Sequence, residues 1–225
     1  MLIATSLLVA LLASPRPAAG ASASVSQPPP PMIVSFSTAA NISASLLARA
    51  LDEADAIWRA SGFTFVWRRA APQGLPDARV SEGGSPVLSG LRVIFGNETG
   101  RSRDNATPLG WISFDDDQTP VPEIYVSYEN ARRLMEAAGG MIGVVSEMTG
   151  VQRELLLART MGRALAHEMG HYLLASKLHT SRGLMRASRS ASEFFSPEQK
   201  GFRIDAAQRL TIAARLRGES PLARR

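Results

Sequence analysis

The feature that most constrains this chain is one long amphipathic stretch that carries all of its histidines. Residues 164–186 read ALAHEMGHYLLASKLHTSRGLMR and hold His167, His171 and His179; the 225-residue chain has no other histidine. Thr149 and Gln152 stand in capping-box register, so the pattern predicts a helix from about Val151 to Ala175. Met161, Leu165, Met169 and Leu173 recur every four residues and form an apolar stripe. His167 and His171 each lie two positions from a stripe residue, about 200° round the axis at about 100° per residue. One face is built to pack and the opposite face to border a cleft.

His167-Glu168-Met169-Gly170-His171 fits H-E-x-x-H. Residues four apart on a helix are neighbours on one face, so two imidazoles at this spacing can grip one zinc ion at about 2.0–2.1 Å. Glu168 lies beside the pair and can serve a water there without ligating the metal. Zinc lowers the pKa of its water toward about 7, and a carboxylate then takes the proton during attack on a carbonyl. The chain has no cysteine, which excludes disulfides and thiolate ligands and leaves His, Asp or Glu for a metal.

The position of His179 makes a geometric demand. It lies eight residues beyond His171, or about 12 Å along the axis of an unbroken helix, out of reach of a shared metal. For His179 to be a ligand, the helix must stop near Ala175 and the chain must turn back through Ser176 and Lys177. Neither is a strong helix breaker.

The rest of the chain reads as one α+β domain. Residues 1–23 are signal-like, with an apolar run at 2–14 and a small-residue site at Ala21-Ser22-Ala23, though no Lys or Arg precedes the apolar run. A Pro-rich linker follows at 24–31, then a domain over 32–225, divided into an N-terminal lobe (32–175) and a C-terminal lobe (176–225). Strands are expected at Ile33–Phe36, Phe63–Arg68, Leu91–Phe95, Gly110–Phe114 and Glu123–Ser127. A helix capped by Asn41 or Ser43 and running to about Ser61 follows the first strand in the chain, with loops at 72–89 and 97–108. A terminal helix is expected from Ser196-Pro197-Glu198-Gln199 to about Arg217. Asp115-Asp116-Asp117 reads as a solvated turn, since three adjacent aspartates cannot converge on one cation.

Taken together, the motif and element order resemble the metzincin zinc peptidases, especially the matrixin-like ones. That family carries H-E-x-x-H-x-x-G-x-x-H followed by a Met-turn. His167, Glu168 and His171 match its first part, and Thr180-Ser181-Arg182-Gly183-Leu184-Met185 looks like the approach to the Met-turn. Leu174 stands at the family's glycine position and Lys177 at its third histidine, so His179 falls two residues late. The resemblance implies a zincin fold: a mixed twisted sheet with a packing helix, a long active-site helix and a small C-terminal lobe. It implies Zn2+ on His167, His171 and His179, Glu168 as catalytic group and Met185 beneath the metal. It also implies an edge strand at Ile124, Tyr125 and Val126 on which an extended substrate pairs. A gluzincin-like alternative takes its third ligand from a later glutamate, Glu193 or else Glu198.

The net charge of +5 comes almost wholly from scattered arginines, with Lys177 and Lys200 the only lysines. No dense basic stripe or nucleic-acid motif is present, so no nucleic-acid partner is expected. The expectation is a secreted or periplasmic zinc-dependent endopeptidase acting on peptide or protein, monomeric, and without stable membrane insertion once the signal is removed. The competing readings are a catalytically silent zinc-stabilised binding module and, on charge alone, an anionic-surface binder.

Overall fold

A computed structural model describes residues 29–70, 90–100 and 107–218. The signal-like segment, most of the Pro-rich linker and the 72–89 loop lie outside the described residues. The chain forms β1 (Met32–Thr38), α1 (Ala44–Arg59), β2 (Phe65–Arg69), β3 (Arg92–Gly96), β4 (Gly110–Phe114) and β5 (Pro120–Ser127). Then come α2 (Tyr128–Ala137), α3 (Gly139–Ile142), α4 (Gly150–Leu174), α5 (Ala191–Phe195) and α6 (Ala206–Leu216). The architecture is α+β.

One five-stranded mixed sheet has the order β2-β1-β3-β5-β4. The first four strands run parallel and β4 is antiparallel to β5. Ser43 caps α1 by accepting from the Leu46 N–H. The face of α1 carrying Leu46, Leu47, Ala50, Leu51, Ala54 and Trp58 is buried, as its periodicity demands. Helix α1 packs on α4, and α4 lies against β4 and β5. Met161, Leu165, Met169 and Leu173 of the apolar stripe are all at most 2% exposed.

Two expectations need correction. The stretch Ile124, Tyr125 and Val126 is not an edge. Ile124 pairs with Val93 on one side and Ile112 on the other, and Tyr125 and Val126 are flanked in the same way. With both sides of β5 bonded, the sheet edge beside α4 is β4, which the chain reaches only after β3 and then folds back on β5. The terminal helix is also shorter than expected. Ser196 accepts from the Glu198 N–H, but the chain then makes only a 3-10 turn at Lys200–Phe202. Helix α6 begins only at Ala206, where Asp205 and Gln208 form a complete capping box. Ser196-Pro197-Glu198-Gln199 is a start signal with no amphipathic run behind it: Gly201, Arg203 and Asp205 interrupt the pattern.

Candidate metal centre

Helix α4 starts at Thr149 with the expected reciprocal capping box. It stops after Leu174 by a device that the sequence hides. Ala175 adopts the left-handed conformation (φ 47, ψ 49). The Ala175 N–H donates to Tyr172 O and the Ser176 N–H to His171 O, the pattern of a Schellman motif. Its left-handed position is usually glycine; here an alanine holds it at a cost of about 1 kcal/mol. The reversed chain brings His179 back over the face that carries His167 and His171.

The three imidazoles converge. One ligand atom from each lies within 4.8 Å of the others, and they form the one potential metal-holding group among the described residues. His179 stacks on His167 (5.3 Å between ring centres, 13°) and meets His171 edge-on at 4.8 Å. His167 Nδ1 lies 2.8 Å from Leu184 O, and His171 Nδ1 lies 2.7 Å from Ser176 O. A carbonyl only accepts, so both Nδ1 atoms carry the proton and both Nε2 atoms present bare lone pairs. These two Nε2 atoms stand 3.1 Å apart. Two facing lone pairs at that distance repel each other, whereas two ligands of a tetrahedral ion at about 2.05 Å stand about 3.3 Å apart. The donors therefore fit a metal ion.

Burial pushes the His167 imidazole down to about 4, with the Leu184 carbonyl opposing. Burial lowers His171 and His179 in the same direction. All three are thus neutral and ligand-competent at pH 7. Burial raises the Glu168 carboxyl to about 8, opposed by the Ile112 backbone amide of β4. Strand β4 passes directly over this side chain: a Cβ built on Gly110 would come within 3.1 Å of Glu168 Cγ.

Met185 is fully buried. A Cβ on Gly170 would lie 2.2 Å from its Sδ, so the thioether fills the space that Gly170 leaves between the two helical histidines. The Met185 carbonyl accepts from the Thr180 N–H, closing the loop from His179 to Met185. Glu193 stands apart from the cluster. It completes a capping box with Ser190, and its carboxylate pairs with Arg186 and Arg189. That places it, by contact, in the C-terminal packing and not among the imidazoles. Glu198 likewise is absent from the histidine group.

The imidazoles and Glu168 line a cleft of about 790 Å³. One wall is β4, including Gly110, Trp111, Ile112 and Phe114; the other includes Arg186–Arg189, Phe194 and Phe202. Sequence reasoning missed the Leu184 and Ser176 carbonyls that orient the imidazoles, because backbone acceptors carry no residue signature. It also missed Arg163, although an arginine one turn before His167 in an apolar run was a visible signal. Arg163 is fully buried; its Nε donates to Glu53 Oε1 of α1 at 2.7 Å. Its other nitrogens donate to the Glu193, Phe194 and Glu198 carbonyls.

No protein-family model matches the chain, and no curated protein matches it. Fold and site thus define an α+β protein with a three-histidine group able to hold a metal ion.

Proposed function

We propose that the chain is an exported zinc-dependent endopeptidase of metzincin-like, matrixin-like type. The observation that carries this reading is Glu168 beside three converging neutral imidazoles, beneath the outer edge of β4. Three protein nitrogens leave a fourth position open, the ligand count of catalytic zinc sites. The signal-like residues 1–23 support export.

Zinc, when bound, supplies Lewis acidity and makes water acidic enough to be deprotonated near neutral pH. Strand β4 has a strand partner on one side only, and its other side takes an extended peptide as an antiparallel strand. Glu168 accepts a proton from the attacking water and passes it to the amine as the C–N bond breaks. Its neutral-leaning carboxyl falls toward the ionised form when a cation stands beside it, which readies it to accept. Leu184 and Ser176 fix the imidazole tautomers. Met185 supports the helix beneath them. Glu193, engaged by Arg186 and Ser190, is the weaker candidate for third ligand.

The test is zinc content and cleavage of a fluorogenic peptide library by wild type and Glu168→Ala. The expected result is one zinc per chain in both, with turnover reduced on the order of 10²–10⁴-fold in the variant. A wild type without zinc, or full activity in Glu168→Ala, would sink the proposal. Zinc without turnover of any peptide would identify a zinc-stabilised binding module instead.

A further inference from the structure

The charge of the cleft is lopsided. Its lining holds Arg163, Lys177, Arg186 and Arg189 against one carboxyl, Glu168. Arg163 is matched by Glu53. Arg186 and Arg189 share Glu193. Lys177 is exposed and has no carboxylate partner among the described residues. Its Nζ stands 5.0 Å from the centre of the Phe114 ring, where the aromatic face holds the cation at the rim. With Glu53, Glu193 and Glu168 set against the arginines, Lys177 is the unmatched cation facing the space that a peptide on β4 would enter.

The position of Lys177 along the strand is also defined. Phe114 is the last residue of β4; Gly110, the first, passes over the Glu168 side chain, and the Ile112 amide faces its carboxyl. Phe114 therefore lies two to four residues beyond these contacts, about 7–13 Å at about 3.3 Å per residue. A peptide antiparallel to β4 enters at the Phe114 end and runs toward Gly110. Residues N-terminal to the bond beside Glu168 therefore pass Lys177.

We infer that the cleft selects peptides with an acidic side chain about two to four residues N-terminal to the reacting bond, and that Lys177 reads that charge. This rests on the peptidase reading for the direction of the peptide, but the charge preference itself is a property of the groove's own side chains. An ion pair on this rim is solvent-exposed, which limits its strength and makes it sensitive to salt. Its contribution is discrimination between peptides more than tight binding.

The test uses three labelled peptides that differ only in Glu, Gln or Lys at those positions. Binding is read by fluorescence anisotropy on chelator-treated protein, where nothing is turned over and a carboxylate has no metal to bind. The Glu peptide is expected to bind about threefold to fivefold more tightly than the Gln peptide at about 20 mM salt, and equally at about 0.5 M. Lys177→Gln is expected to abolish the difference and Lys177→Glu to reverse it toward the Lys peptide. Equal binding of the Glu and Gln peptides by wild type, or an unchanged ratio in Lys177→Glu, would overturn the inference. The same peptides on zinc-loaded protein separate the two claims. Equal cleavage of all three defeats the charge preference and leaves the peptidase reading standing. Selective binding with no cleavage does the opposite.

Discussion

His167 and Glu168 are adjacent in sequence, and burial drives them in opposite directions, the imidazole to about 4 and the carboxyl to about 8. Each shift sets a pH limit on the metal-free protein. The unfolded imidazole titrates near 6.5, so stability is lost as pH falls from about 6.5 to about 4, where only the unfolded chain takes the proton. His171 and His179 act in the same sense. The unfolded glutamate titrates near 4.5, so Glu168 acts oppositely: stability is lost as pH rises toward about 8. Between about 4.5 and 6.5 His167 and Glu168 oppose each other, and above about 6.5 only the Glu168 effect remains. Metal-free stability is therefore expected to fall as pH rises from about 6.5 toward 8 in urea titrations, and Glu168→Gln is expected to flatten that alkaline limb. An alkaline limb that persists unchanged in Glu168→Gln would contradict the assignment. Gly170 is constrained by contact alone. Gly170→Ala adds helix propensity but drives Cβ to 2.2 Å from Met185 Sδ in a closed core. The expected net cost is about 1–2 kcal/mol in denaturant melts. Zinc affinity is expected to fall on the order of tenfold, because the displaced segment carries the Leu184 carbonyl.

At the scale of elements, the end of α4 decides whether a third imidazole joins the helical pair. An unbroken helix would carry His179 away from His171; the Schellman turn at Ala175 returns it. The same turn presents Ser176 O to His171, so one local structure ends the helix and orients an imidazole of the group. Ala175→Gly removes left-handed strain without altering the turn. It is expected to stabilise the protein by about 0.5–1 kcal/mol, read as a rise in Tm, with zinc affinity preserved. A destabilised Ala175→Gly would show that the alanine is not strained. The helix and its N-terminal cap were legible from 149–175, since capping and periodicity are local, while the stop near Ala175 followed only from the demand that His179 reach back. The left-handed alanine was not legible, because no residue type announces it.

Across the whole molecule, Arg163 ties the parts together. It links α4 to Glu53 of α1 and to three carbonyls of the segment from α5 to Glu198. Gln199 bonds the other oxygen of Glu53. The guanidinium groups of Arg163 and Arg189 both lie over the Phe202 ring, 4.6 Å and 3.9 Å from its centre. Arg163→Met leaves Glu53 without its charge partner and three carbonyls without donors. The expected loss is about 3–5 kcal/mol by chemical denaturation, partly recovered by a second change, Glu53→Leu. Independent, additive costs in the double variant would show that the pair is not coupled.

Local chemistry alone specifies the α4 helix, its cap and apolar stripe, the His167-Glu168-His171 face, and the approximate strand positions. Folding sets what depends on residues far apart in the chain. It made β4 and not β5 the strand beside Glu168, because sheet order follows from which neighbours share hydrogen bonds. It assigned Glu193 to arginines and His179 to the imidazoles, because a charged or ligating side chain goes where folding puts its partners. It committed the Leu184 and Ser176 carbonyls to His167 and His171, since a backbone acceptor acquires a role only when another element is folded against it.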